Sequence, residues 1–349
     1  MRYSCLMELH SKIICAAAGL AILAAQELPD KLLLKDYRPE SIFKIPETHI
    51  QKAKYPVIDV HYHSFQGKAG PAERIKNMDE VGIEKTMILT GMVGPKFDAI
   101  YAEYGKYPDR FQVWCGLDTE NFSAAELERC ARMGAKGVGE ISDKGKGLGR
   151  SGVHPDDPKV DAIWEKCAEL KLPVNIHIAD PRWTYEPMDA TNDGLMDSFK
   201  WRLDNQPDIV KFDGMIEILD RTLTRHPHTT FIACHLANLD FDLARLGKLL
   251  DKHPNLYVDI SARLHYIGTI PRVAAAFFEK YQNRIMYGTD TGFQTAMYRG
   301  TFRALESTDD HYYEWSILPN LHWPLYGLGL KDQILRKLYR ENALKILKK

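Results

Sequence analysis

From Tyr55 onward, short apolar runs rich in β-branched residues alternate with longer stretches whose apolar positions recur at helical spacing. Eight runs read as strands: VIDVHYH (57–63), KTMILTG (85–91), FQVWCGL (111–117), KGVGEI (136–141), PVNIHI (173–178), TTFIACH (229–235), NLYVDIS (255–261) and RIMYGTD (284–290). Intervening stretches such as PAERIKNMDEVG, SAAELERCARMG and DLARLGKLLDKH read as helices. In the last of these, Leu243, Leu246, Leu249 and Leu250 form one apolar stripe that needs a sheet face to cover. Strict alternation of strand and helix implies parallel neighbours, because a parallel pair requires a crossover connection. Near-continuous apolar strands such as TMILT fit burial on both faces. Pro227 and Pro254 end their helices shortly before the next strand. Eight such units predict an α/β fold, a (β/α)8 TIM barrel over residues 55–349.

Two aromatic-rich insertions interrupt this rhythm, residues 179–208 after strand five and 291–328 after strand eight. Loops that follow barrel strands lie on the catalytic face, so these insertions are expected to build a substrate lid. A subunit contact, making the protein a homo-oligomer, is the alternative. The glycine-rich DKGKGLGRSG (143–152) lacks P-loop spacing and reads as a mobile loop over the site. DQILRKLYRENALKILKK reads as one amphipathic C-terminal helix packed on the barrel.

The start of the chain follows a different pattern. Arg2 and Lys12 precede an apolar run, 13–25, which ends in small residues and gives way to QELPDK. The run is too short to span a bilayer but fits the core of a signal peptide over residues 1–25, which predicts an exported protein. Glu8 favours the alternative, a packed N-terminal helix on a cytoplasmic protein. Residues 26–54 form a polar, proline-containing lead-in expected to wrap the barrel.

Composition narrows the partners. With 45% hydrophobic and 27% charged residues the chain resembles an ordinary globular enzyme. A net charge of −1 without a basic block argues against nucleic acid, and no transmembrane segment is present. A small-molecule substrate remains. The six cysteines include no CxxC pair, so they read as isolated, buried small hydrophobes rather than as a disulfide framework or a cysteine-ligated zinc site.

The strongest chemical signal is His61-Tyr62-His63 at the end of strand one. Side chains two apart share a strand face, so Asp59, His61 and His63 are expected to point together into the barrel. His177 ends strand five, His235 ends strand six and Asp290 ends strand eight, all at the layer where barrel active sites lie. A core histidine explains any one of these; it does not explain all of them together.

The constellation VIDVHYH, VNIHI, FIACH and RIMYGTD resembles the amidohydrolase superfamily. So do the phrases DAIWEKCAELKLPVNIHIADP and HPHTTFIACHLANLDFDLARLGKLLDKHPNLYVDIS. They look like its amidohydrolase-related branch, which includes decarboxylases similar to aminocarboxymuconate semialdehyde decarboxylase. The resemblance covers residues 55 to 348. It implies a divalent metal, most often zinc, held by His61, His63, His177 and Asp290 with His235 beside it. Such donors also suit manganese, iron or cobalt. In such a site Asp290 would bind the metal, orient a water and accept its proton. His235 would polarise a carbonyl or hold a second ion. Binuclear members carry a carboxylated lysine or a glutamate on strand four. Glu140 is the candidate bridge here, with a salt bridge or substrate contact as its alternative, so one or two ions are open. Lys136 lies too early on that strand and Lys144 beyond its end.

Around this set, Arg263 could grip an anionic substrate group through its bidentate fork. Pairing with Asp259 or a nearby carboxylate is the alternative. Arg182 and Trp183 are candidates for the substrate pocket wall. His154, His226, His228, His253 and His265 fall in loops or helix ends and are expected to be solvated. The leading expectation is a metal-dependent hydrolase acting on an amide, lactone or ester. Non-oxidative decarboxylation of a small carboxylic acid comes second. A non-catalytic binding barrel comes last, because no residue of the set is missing.

Overall fold

The structure, a computed structural model, describes residues 30–65, 69–197, 199–317 and 322–347. The segment expected to be a signal peptide lies outside the described residues. No helix among them is long and apolar enough to cross a membrane. The chain divides into two units, 1–38 and 39–349. The described part of the first holds one short 3-10 turn, Leu34–Asp36.

The described residues of the second unit form eight parallel strands: β1 (Val57–Tyr62), β2 (Ile83–Leu89), β3 (Phe111–Trp114), β4 (Val138–Asp143), β5 (Val174–Ile178), β6 (Phe231–Ala233), β7 (Leu256–Asp259) and β8 (Ile285–Met286). The helices are α1 (Pro71–Val81), α2 (Gly94–Tyr104), α3 (Ala124–Met133), α4 (Asp161–Glu169), α5 (Phe212–Arg225), α6 (Leu243–Lys252), α7 (Leu264–Ile267), α8 (Pro271–Lys280), α9 (Thr295–Glu306), α10 (Asp332–Arg336) and α11 (Asn342–Leu347). Ladders run β1-β2-β3 and β4-β5-β6-β7-β8. At one seam Gly139 N–H donates to Cys115 O at 2.7 Å. At the other, Val60 N–H donates to Tyr287 O at 3.0 Å and Asp290 N–H to His61 O at 2.9 Å. The α/β architecture is the expected TIM barrel.

Local chemistry explains the elements. Pro71 starts α1 where its missing N–H costs nothing, and Gly82 ends it with a left-handed φ of 89°. The Asp242 carboxylate caps α6 by accepting from Arg245 N–H at 2.9 Å. The α6 leucine stripe is buried as predicted. At the barrel floor, Ile58, Val60, Met87, Leu89, Trp114, Ile232 and Met286 pack with Ala343 and Ile346 of α11. The C-terminal segment is not one regular helix: a π-helical turn, Lys337–Glu341, separates α10 from α11. The Leu338 carbonyl accepts from Tyr287 N–H at 2.9 Å, and Asn342 Nδ2 donates to Ile285 O at 2.8 Å. The wide turn thus supplies partners to the short last strand.

Two register shifts decide what faces the barrel mouth. In β1, Asp59 pairs with Thr86 and Tyr62 with Ile88, so three steps on one strand match two on the other. Asp59 consequently does not share the face of His61 and His63. It turns outward and accepts from Thr289 Oγ1 at 2.8 Å and from Tyr298 of α9 at 3.0 Å. In β4, Val138 pairs with Val174 and Ile141 with Ile176, which throws Glu140 into the mouth. Gly139 makes this turn sterically possible, since a Cβ there would lie 2.7 Å from Asn175 Cβ. Gly139→Ala is therefore expected to lower stability by about 1–3 kcal/mol, read as a reduced denaturation midpoint. An unchanged midpoint would show that β4 absorbs the methyl group.

Other expectations change in the fold. His226, His253 and His265 are buried, not solvated. His226 faces Asp161 at 3.1 Å, and His253 faces Asp220 at 2.5 Å. The glycine-rich loop is fastened by Asp143, whose Oδ1 accepts from Gly145 and Gly147 N–H, both at 2.9 Å, while Oδ2 pairs with His154 at 2.6 Å. Of the lead-in, Thr48 bonds Asp309 through both N–H, at 2.8 Å, and Oγ1, at 2.6 Å.

Candidate metal centre

His61 is fully buried at the end of β1. Its Nδ1 lies 3.0 Å from Asp259 Oδ2, and Ser261 Oγ is also 3.0 Å away. The carboxylate fixes the proton on Nδ1 and leaves Nε2 with a lone pair. That Nε2 is buried and has no hydrogen-bond partner among the described residues. It sits 3.7 Å from Asp290 Oδ1 and 3.9 Å from Glu140 Oε2. His63 is oriented in the same manner by the Leu89 carbonyl, 2.9 Å from its Nδ1. Its Nε2 approaches Glu140 Oε2 at 3.0 Å and Asp290 Oδ1 at 3.4 Å.

Two overlapping groups offer one donor atom per residue, all within 4.8 Å of one another. One is His61, His63 and Asp290; the other is His61, Glu140, Cys234 and His235. Because His61 Nδ1 is engaged by Asp259, only Nε2 remains for a cation, and the shared histidine can serve one ion. Imidazole and carboxylate donors around an orphaned, buried nitrogen fit a divalent metal. The local field agrees. Burial opposes a charge on His61, yet Asp259, Asp290 and Glu140 outweigh it and raise its pKa to about 10. Carboxylates that would hold a proton on Nε2 favour a cation there equally.

His177 belongs to neither group. Its Nδ1 hydrogen-bonds Glu140 Oε1 and lies 3.2 Å from His235 Nε2, while its Nε2 lies 3.2 Å from Asp180. Burial notwithstanding, His177 holds the Glu140 carboxyl well below its usual range. Lys144, beyond the strand end, binds Asp180 at 2.8 Å. His235 is pushed down to about 4 by burial and by the charges of Arg263 and His177. Its Nδ1 points at Ser261 O, 2.8 Å away, so neutral His235 presents Nε2 as an acceptor. It can take a proton or bind a cation; polarising a carbonyl would require protonation first.

The backbone here is unusual. His235, Leu236, Ala237 and Asn238 all have φ between 54° and 58°, and Asp290 has 55°. A left-handed turn of non-glycine residues costs about 1–2 kcal/mol per residue. It is held by Asn238 Nδ2, which donates to Ile178 O and Ala179 O at 3.0 and 3.2 Å, and by His235 N–H on Asp259 at 2.9 Å. Such conformations concentrate at functional sites.

The remaining candidates lie farther out. Arg263 is buried, donates to Asn238 Oδ1 and lies 3.3 Å from Asp240. Its carboxylate partner is Asp240, since Asp259 is taken by His61. Arg182 pairs with Glu186 at 2.5 Å and Asp213 at 3.2 Å. Trp183 Nε1 donates to Tyr266 OH at 2.8 Å. Trp183, Phe241, Tyr266 and Trp323 wall a cavity of about 500 Å³ where the two aromatic insertions meet. Arg182 and Asn192 also line it, whereas the metal-capable residues do not. Asp259, Ser261, Asp180 and Cys234 escaped the sequence reading as site residues. Only Asp259 carried a signal, an acid ending strand seven as Asp290 ends strand eight.

No curated protein matches the sequence. Among solved structures, 2,6-dihydroxybenzoate decarboxylase from Rhizobium is similar at 19% identity and a TM-score of 0.55, over 84% of this chain and 99% of the other. A dihydroxybenzoic acid decarboxylase from Polaromonas sp. JS666, with bound manganese and the inhibitor 2-nitroresorcinol, is similar at 15% identity and a TM-score of 0.56, over 84% and 97%. 5-Carboxyvanillate decarboxylase from Sphingomonas paucimobilis is similar at 13% identity and 0.54, over 84% and 99%. These likenesses concern the fold. The Amidohydrolase family profile matches residues 47–349. That span holds all eight strands and every side chain gathered at the barrel mouth, and by it the chain belongs to the amidohydrolase family of enzymes.

Proposed function

We propose that the protein is a metal-dependent hydrolase that adds water to the carbonyl of a small amide, lactone or ester. The observation that carries this reading is the meeting of two carboxylates, Glu140 and Asp290, at the Nε2 atoms of His61 and His63. With a divalent ion bound, the two carboxylates would cancel its charge and leave no surplus positive charge to draw in a carboxylate substrate, which favours a neutral carbonyl. Arg263, the cation expected to hold an anionic group, is instead packed against Asp240 and Asn238. His61 would hold the ion with donors from both of its groups, His63 and Asp290 on one side and Glu140 and His235 on the other. Zinc is the metal we favour; a divalent ion supplies Lewis acidity and can lower the pKa of water to about 7. Asp290, about a quarter exposed, is accessible to orient that water and take its proton. His177, itself braced by Asp180, holds Glu140 in place. The aromatic cavity under Trp183 and Trp323 accommodates the apolar part of the substrate. The apolar run at 13–25 supports export of this enzyme.

Decarboxylation of a small aromatic acid is the second reading, favoured by the likeness to three decarboxylases. Isotopes separate the two. With neutral esters, lactones and amides and with hydroxybenzoates as substrates, turnover in 18O-water is expected to place one solvent oxygen in the product carboxylate. Deuterium delivered from D2O to carbon, with release of carbon dioxide, would establish the decarboxylase instead.

A further inference from the structure

We propose that Cys234 is a sulfur ligand of the metal centre, giving this site a preference for zinc or cobalt over manganese. The proposal rests on reading the mouth cluster as a metal centre. Ile232 packs in the inner apolar cluster and Ala233 in the outer one, so alternation continued one residue past β6 turns Cys234 inward, toward Asn175 of β5. Its Sγ lies within 4.8 Å of donor atoms from His61, Glu140 and His235. His61, fully buried and with no hydrogen-bond partner for its Nε2 among the described residues, belongs to the same cluster. The other described cysteines differ. Cys115, Cys130 and Cys167 sit in the apolar layer between strands and helices, as isolated cysteines usually do. Among the described residues Cys234 belongs to no apolar cluster, and it donates to Asn175 Oδ1 at 2.9 Å. On binding, the S–H bond is exchanged for a sulfur–metal bond and the proton leaves to solvent. A thiolate is a soft donor, which suits zinc and not manganese.

Metal-loaded full-length protein provides the test. With cobalt(II), a near-ultraviolet sulfur-to-cobalt charge-transfer band is expected. With zinc, X-ray absorption should show one sulfur at about 2.3 Å. Cys234→Ser should bind metal but lose both signals, and its zinc-over-manganese preference should fall by at least about tenfold, the lower bound when one supporting group is lost. A zinc or cobalt shell of nitrogen and oxygen alone in the unaltered protein overturns the proposal while leaving the hydrolase reading intact, and this arm holds whether or not the variant folds. A sulfur signal that persists in Cys234→Ser also overturns it. Failure of the unaltered protein to bind zinc, cobalt or manganese overturns both.

Discussion

His61→Ala is expected to strip the protein of metal and of turnover. Both donor groups contain His61, and its buried Nε2 has no hydrogen-bond partner among the described residues. Removal should cost more than the roughly 10–100-fold that loss of an outer partner costs. Elemental analysis of the purified variant should find almost no retained zinc. The same change leaves Asp259 buried without its imidazole, so a stability loss of about 3–5 kcal/mol should accompany it. Asp290→Asn separates the two effects. Asp290 lies at the mouth and is about a quarter exposed, so that variant should lose metal and activity with little change in melting temperature. Metal content and turnover that survive both substitutions would remove the assigned centre.

Asp259→Asn should produce the second largest effect although Asp259 lies outside both donor groups. Its carboxylate faces His61 Nδ1 at 3.0 Å and accepts from His235 N–H at 2.9 Å and from Ser261 Oγ at 2.5 Å. It therefore sets the tautomer of one histidine and the backbone direction of another. Against the cost of burial, the charge of His61 holds the Asp259 carboxyl far below its ordinary range. An amide keeps the shape but loses the charge and one acceptor. We expect a fall in metal affinity of about 10–100-fold, measured by competition with a chelator, together with a lower denaturation midpoint. Ser261→Ala removes a hydroxyl that meets Asp259, His61 and His235 at 2.5, 3.0 and 2.9 Å but carries no charge, and should have the smaller effect. Unaltered affinity in Asp259→Asn would mean that the Ser261 hydroxyl and packing suffice to hold His61.

The amino-acid pattern carried the barrel because burial on both faces and helical amphipathicity are properties of consecutive residues. VIDVHYH, PVNIHI and RIMYGTD could be placed at strand ends for the same reason, which brought His61, His63, His177 and Asp290 into view without coordinates. The orientation of Asp59 and Glu140 was beyond that reach. A one-residue bulge inverts the facing of everything after it, and the bulge depends on the register with the neighbouring strand. Partner choice was likewise hidden. Whether Asp259 serves His61 or Arg263, and which carboxylates His177 faces, depends on atoms contributed by segments far apart in the chain. The left-handed turn at His235–Asn238 contains no glycine to announce it, being held by Asn238 and Asp259 across the barrel. Periodicity and residue type are local and survive in a one-dimensional string; register, tautomer and backbone strain are set by long-range contacts and exist only once the barrel has closed.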